Sequence, residues 1–150
     1  MKKRPASRLL VVDPQDRILL FNFKFDKGPL KGQDYWATVG GGIEPGESFE
    51  EAARRELLEE TGSTEPVGEV IHARRAVFQT PSGEVVDAEE HFFFVTVSDS
   101  KIDYFPHTVI ETQVMRVHHW WTRKELEATS LTIFPENILE ILKPYLPRSV

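Results

Sequence analysis

Apolar residues in this chain come in short bursts set apart by turn chemistry, with one longer exception. Residues 9–12 (Leu-Leu-Val-Val) and 18–21 (Ile-Leu-Leu-Phe) flank Asp13-Pro14-Gln15-Asp16, and two apolar runs around a tight polar turn predict a β-hairpin. Residues 26–34 shift to Gly, Pro, Lys and Gln, an exposed loop before a short strand over 35–39, which the triple glycine Gly40-Gly41-Gly42 is expected to end. The exception runs from Phe49 to Thr61: Ala, Leu, Arg and Glu with no breaker before Gly62, opened by the capping-box pair Ser48 and Glu51. This stretch predicts a helix. Residues 67–79 and 84–97 then read as two longer strands around Thr80-Pro81-Ser82-Gly83, a second hairpin.

After a loop over residues 98–112, the run from Val114 to Trp121 mixes β-branched and aromatic residues and predicts another strand. Thr122 with Glu125 repeats the capping-box spacing for a short helix, and Pro135 stands at a first-turn position before Ile138, Leu139, Ile141 and Leu142. Strands mixed with two or three helices in this order predict an α/β fold: a sheet covered by helices on both faces.

Composition narrows the picture. A length of 150 residues at 40% hydrophobic content fits one compact domain over 1–150. The net charge of −6 argues against a sequence-independent grip on a nucleic-acid backbone and suits a bound cation better. With no cysteine, the chain offers no disulfide, thiolate metal site or thiol nucleophile, and a reducing compartment, the cytoplasm, is the expectation. Residues 9–12 are too brief for a signal-peptide core or a membrane span, so no membrane partner is expected, and Met1-Lys2-Lys3-Arg4 reads as a solvated tail.

Chemistry concentrates between Gly40 and Gly62, GGGIEPGESFEEAARRELLEETG. At about 100° per residue, with Glu56 at zero, Glu59 falls near −60° and Glu60 near +40°, so the three share a helix face. Phe49, Ala52 and Ala53 fall within about 60° of Glu56, on the arc that an amphipathic helix turns inward. Carboxylates on an inward arc repel one another and lose hydration, so they require a compensating cation, either Arg or a metal. Convergent oxygen donors suit a hard ion such as Mg²⁺ or Mn²⁺. The competing interpretation is an acidic, solvated helix face. The preceding loop weighs against it, because its glycines permit close backbone approach while Glu44 and Glu47 add two more carboxylates. No Gly-Lys-Ser or Gly-Lys-Thr follows, so the loop is not a P-loop.

Gly41, five residues, Glu47, seven residues, then Arg55-Glu56-Leu57-Leu58-Glu59-Glu60-Thr61-Gly62 resembles the Nudix box of Nudix hydrolases at every defining polar and glycine position. Ser63 departs from it, where the family prefers an aliphatic residue. The likeness extends to the leading hairpin, to Trp36 ahead of the glycines and to Trp120-Trp121-Thr122 before a short helix. It implies a Nudix-type α/β/α sandwich with a mixed sheet, and hydrolysis of a phosphoanhydride bond in a small-molecule nucleotide. By resemblance, Glu56, Glu59 and Glu60 are metal ligands, with Glu44 and the backbone near Gly41 completing the shell, and Mg²⁺, with Mn²⁺ as an alternative, is the cofactor. Arg55 pairs with the carboxylates and orients them; Glu47 is a loop-stabilising acceptor. The general base is a box glutamate, Glu60 or Glu56, or a later loop acid, for which Glu111 is the candidate.

Outside the box, Trp36, Phe21 and Phe23 are candidates for stacking on a nucleobase, with Lys24 available for a phosphate, although strand aromatics are more often core. Glu90 lies on the strand face opposite Glu89 and His91; one of the three could reach the metal site, but pairing across the hairpin with Arg74 or Arg75 is the favoured expectation. His118 and His119 cannot both point inward and match no zinc spacing. The substrate stays open among nucleoside triphosphates, damaged nucleotides, dinucleoside polyphosphates and nucleotide sugars, and a homodimer is left open. The rival from another class is a catalytically silent Nudix-like domain that senses a nucleotide.

Overall fold

A computed structural model describes residues 1–103 and 114–146. The elements run β1 (Lys2–Val12), β2 (Ile18–Phe25), β3 (Asp34–Gly42), α1 (Phe49–Thr61), β4 (Val70–Gln79), β5 (Val85–Thr96), β6 (Val114–Trp121), α2 (Arg123–Ala128), β7 (Ile133–Phe134) and α3 (Ile138–Leu142). The first turn forms as its residues dictate: Asp13 Oδ1 accepts from the backbone N–H groups of Gln15 and Arg17 at 3.0 and 2.9 Å, tying the turn to its own strand end. Both capping boxes form. Ser48 accepts from Glu51 N while Glu51 accepts from Ser48 N, and Thr122 and Glu125 do the same. Gly62 ends α1 in the left-handed region at φ 78°.

Among the described residues the strands form one mixed, seven-stranded, branching sheet in which β1, β2 and β3 each pair with three others. One edge of β1 pairs in parallel with β5 from Lys2↔Val86 to Val12↔Thr96; the other pairs antiparallel with β3 from Ala6↔Gly42 to Leu9↔Val39. β2 meets β1 at Val12↔Ile18 and then diverges to pair with β3 and β6. The expected first hairpin therefore opens beyond its turn. The second, β4 with β5, pairs antiparallel as expected.

Alternate residues of the central strands are buried on opposite faces. Leu9, Val11, Leu19 and Phe21 pack with Ala53 and Leu57 of α1, while Leu10, Val12, Ile18 and Leu20 pack with Leu126 of α2 and Ile138, Ile141 and Leu142 around α3. Burial on both faces accounts for the unbroken apolar runs, which read as continuous rather than alternating. The expected sheet with helices on both faces is the observed one. Among the described residues no helix is long and apolar enough to cross a membrane.

Three local expectations need correction. Lys2 to Arg4 belong to β1, not to a solvated tail, because β5 offers their backbone a parallel partner, and Lys3 Nζ meets Asp87 Oδ2 at 3.0 Å. The glycine run continues β3 instead of ending it. A Cβ on Gly40 would lie 2.2 Å from the Ser7 carbonyl oxygen, so glycine lets β3 lie against β1. Finally, α3 starts at Ile138 with Asn137 as its N-cap, so Pro135 lies ahead of the helix. The residues before it form β7, which pairs in parallel with β3 at Trp36↔Ile133.

Gly40 and Gly46 both have positive φ, at 133° and 84°, but nothing lies within 4 Å of a Cβ on Gly46. Gly46→Ala is expected to cost about 1 kcal/mol of conformational strain. Gly40→Ala should cost about 3 kcal/mol or more, because the backbone of β1 must move. Urea denaturation compares the two, and equal losses would reject the close-approach role of Gly40.

Candidate active site

Helix α1 is seated on the sheet at its first turn. Ser7 Oγ of β1 donates to the Phe49 carbonyl at 2.6 Å, and the Phe49 ring stacks on His91 of β5 at 3.7 Å. With Ala52, Ala53 and Leu57 buried beneath it, the helix presents Glu56, Glu59 and Glu60 beside the end of β3. The approach is close: a Cβ on Gly41 would sit 2.8 Å from Glu56 Oε1. Any side chain at 41 would push that carboxylate away.

Arg55 organises the surrounding acids. Its Nε and Nη2 donate to the two oxygens of Glu47 at 2.7 and 2.9 Å, a bidentate fork, while Nη1 donates to Glu56 Oε1 and Glu59 Oε1 at 3.0 Å each. Nη2 also donates to the Gly42 carbonyl at 3.1 Å, and Glu44 Oε1 lies 3.5 Å from Nε. Glu47 accepts in addition from Glu44 N at 2.9 Å, so it closes the loop as an acceptor.

The electrostatics divide these acids. Hydrogen bonds from Arg55 hold the Glu47 carboxyl down to about 2, and the same pairing, against burial, raises the Arg55 guanidinium above its ordinary range. Glu56 goes the other way. Burial, then repulsion from Glu60 and more weakly from Glu59, outweighs Arg55 and pushes it up to about 7. Glu60 is 7% exposed. Among the described residues no three acidic or histidine side chains already converge as a metal cage; Arg55 instead bonds both Glu56 and Glu59. The donor set nonetheless suits a hard cation. It offers oxygen donors alone, and burial, with repulsion from Glu60, raises the Glu56 carboxyl in a way that a nearby cation would oppose.

These carboxylates line a cleft of about 960 Å³, together with Gly40, Gly41 and Gly42, Arg4 and Arg8 of β1, Arg74 and Arg75 of β4, Glu90 of β5 and a group of aromatic rings. Glu90 accepts from Arg74 Nε at 2.8 Å, the expected cross-hairpin pair, and also from Arg8 Nε at 2.9 Å. Burial alone would raise the Glu90 carboxyl, but Arg8 and Arg74 outweigh it and hold it below its usual range.

The cleft gathers Gly41, Glu56, Glu59, Glu60 and Phe23 from the expected site residues, and Arg55 and Glu44 stand directly beside them. Three substrate-binding expectations fall elsewhere. Phe21 is 1% exposed in the core beneath α1. Trp36 lies against Trp121, ring centroids 5.3 Å apart, because strand alternation turns it away from its neighbours Tyr35 and Ala37 in the cleft wall. Lys24 is exposed and absent from the lining for the same reason, alternating with Phe23 and Phe25. Glu111 lies outside the described residues.

Sequence reasoning missed Arg4, Arg8, Tyr35, Phe78 and Phe134. Tyr35 was within reach of it, since it pairs with Phe23 across the strands, their rings stacked at 5.6 Å. Arg4 and Arg8 carried no local signal.

Comparison with known proteins agrees with this geometry. The model of the NUDIX domain matches residues 2–141. Over 90 residues, 60% of this chain, the sequence is 41% identical to a putative 8-oxo-dGTP diphosphatase of Bacillus subtilis (strain 168), and over 52 residues, 35% of the chain, 46% identical to nucleoside triphosphatase NudI of Enterobacter sp. (strain 638). These stretches span 51% and 36% of the relatives' own lengths, so the chain matches about half or less of each. Among solved structures, the NUDIX domain of Shewanella oneidensis NrtR, determined with ADP ribose, superposes with a TM-score of 0.64 at 15% identity, covering 96% of this chain and 88% of that one. At that identity the likeness is one of fold. A family match over residues 2–141, spanning both the branching sheet and the carboxylate helix, makes this chain a member of the Nudix family.

Proposed function

We propose that this chain is a metal-dependent hydrolase, one domain over residues 1–150, that cleaves a phosphoanhydride bond in a nucleoside diphosphate linked to another group. One observation carries this reading: the single guanidinium of Arg55 meets four carboxylates, those of Glu44, Glu47, Glu56 and Glu59, with Glu60 buried alongside, in a cleft large enough for a nucleotide. Such an excess of negative charge would repel a phosphate substrate unless cations enter with it. Nudix hydrolases generally use divalent metal ions, and two relatives are named for diphosphatase and triphosphatase activity.

Glu56, Glu59 and Glu60, with Glu44 and the backbone at Gly41, would hold Mg²⁺ or Mn²⁺. A divalent ion there supplies charge against the phosphates and acidifies water. The remaining work falls to the chain itself. Arg55 keeps Glu56 and Glu59 from splaying apart and ties them to the loop through Glu47. The proton of the attacking water passes to a carboxylate, with Glu56 and Glu60 at the site and Glu111 the candidate from the later loop. Phe23, stacked with Tyr35 in the cleft wall, offers a ring face to a nucleobase. A silent sensor domain is disfavoured, because the carboxylates that silencing would discard are all present.

A screen of phosphate and pyrophosphate release with magnesium, across nucleoside triphosphates, oxidised nucleotides, dinucleoside polyphosphates and nucleotide sugars, is expected to find turnover in at least one class. Glu59→Gln and Glu60→Gln should each reduce that turnover roughly a hundredfold or more without loss of fold. Chelation should stop it and magnesium restore it. Near-normal rates in both variants, or chelator-resistant hydrolysis, would reject the site.

A second measurement needs no substrate. Without metal, Glu56 titrates at about 7 in the folded chain, above the ordinary carboxyl value of 4.5, so the native state holds the extra proton between those limits. Stability in chelator should therefore fall as pH rises from 4.5 to 7, since the unfolded chain releases that proton first. Glu56→Gln should flatten this slope in urea unfolding; parallel profiles would show that Glu56 is not crowded.

A further inference from the structure

Four arginines line the cleft, and three of them already meet a carboxylate. Arg8 and Arg74 share Glu90 at 2.9 and 2.8 Å, and Arg75 Nη2 donates to Asp87 Oδ2 at 2.7 Å. Arg4 differs. Among the described residues its guanidinium makes no hydrogen bond or ion pair, although it is half-buried.

What it does touch is apolar. Its Cζ lies 5.8 Å from the centroid of the Phe78 ring. On another side lies Gly42, where an added Cβ would be 3.3 Å from Cζ, Nε and Nη2 alike. A point equally far from three atoms of one plane stands above that plane. Gly42 therefore covers a flat face of the guanidinium, and the N–H edges remain for a ligand. Burial, followed by repulsion from Arg8, holds Arg4 below its ordinary pKa range despite the opposing pull of Glu90 and Glu56. A cation held in that way gains from any anion that reaches its edge.

We propose that Arg4 is the phosphate-binding residue of this cleft, donating its guanidinium edge to a phosphate of the substrate while the anhydride to be cut lies at the carboxylates of α1. This rests on the nucleotide reading above and narrows it. The substrate must carry a phosphate chain able to reach both places, and Gly42 is the residue that leaves room for the flat guanidinium. A carboxylate ligand would satisfy the same fork, but the cleft's own acids make a bridging, cation-accompanied phosphate the better occupant.

The test is calorimetric titration in magnesium with ADP in its α,β-methylene form, whose bridge cannot be hydrolysed, so binding is read without turnover. Arg4→Gln should weaken ADP about tenfold or more, the loss of charge-assisted hydrogen bonds, with Arg4→Lys in between. Adenosine, which lacks phosphate, should bind all three alike. Arg54→Gln, exposed on α1 and paired with Glu50, should leave ADP binding unchanged. If Arg4→Gln fails to fold by circular dichroism, Arg4→Lys decides, and wild-type affinity there overturns the proposal. So does unaltered ADP affinity in Arg4→Gln, an equal loss for adenosine, or a wild-type chain that binds neither ADP, GDP nor pyrophosphate. On any substrate that turns over, Arg4→Gln should raise KM about tenfold with kcat within about threefold. Hydrolysis with an unaltered KM would sink this proposal and spare the enzymatic one; ADP binding through Arg4 with no hydrolysis in any class would do the reverse.

Discussion

The guanidinium of Arg55 joins three segments: the loop before α1, the end of β3 and α1 itself. It forks onto Glu47 of the loop, reaches the Gly42 carbonyl at the end of β3, and bonds Glu56 and Glu59 on its own helix. Remove it, and Glu56, Glu59 and Glu47 face one another with no shared cation, at a place where Glu56 is already crowded by Glu60. The rigid planar fork matters here, because a lysine could neither grip Glu47 with two nitrogens nor hold two more carboxylates from a third. Gly41 is the complementary constraint. A Cβ there would displace the Glu56 carboxylate, so the smallest residue leaves that carboxylate its place against β3.

Features that depend on residues close in sequence were legible from sequence alone. The helix Phe49–Thr61 was visible because its capping box, its run of helix formers and its glycine stop lie within one stretch. The hairpin of β4 and β5, and a charged pairing across it with Arg74 or Arg75, followed from turn chemistry and strand alternation, while the choice of Glu90 for Arg74 came from the structure. The glycine run was harder. A glycine that ends a strand and one that lets two backbones close up look the same until the partner is known, and for Gly40 that partner is Ser7 on β1. Likewise Lys2 and Lys3 resemble a frayed tail until β5, some 84 residues away, supplies their parallel partner.

The cleft shows how a correct face can still yield a wrong residue. Phe21 and Phe23 alternate in phase on β2, so periodicity cannot tell them apart. The coverage by α1 does: Ala53 and Leu57 bury Phe21, while Phe23 is left to line the cleft with Tyr35. Trp36 was the more misleading residue, since a large ring beside a glycine run suggests a ligand platform. Its neighbour Tyr35 points to the cleft, and the indole instead packs against Trp121 on the α2 and α3 side.

On the proposed reading an acidic protein with a net charge of −6 must still admit a polyanion, and β1 resolves the conflict by alternation. On one face of this strand Ser7 seats α1 and so places the carboxylates; on the other, Arg4 and Arg8 line the same cleft with positive charge. The two sets stay apart because successive side chains of a strand point to opposite faces. A slip of one residue in the pairing with β5 would exchange them, removing the helix seat and the arginines together. The long parallel register from Lys2↔Val86 to Val12↔Thr96 guards against that slip, and Glu90, set opposite Ala6, keeps Arg8 in place from the neighbouring strand. Among the described residues Arg4, on the same face as Arg8 but without such a tether, is the cleft arginine that meets no carboxylate.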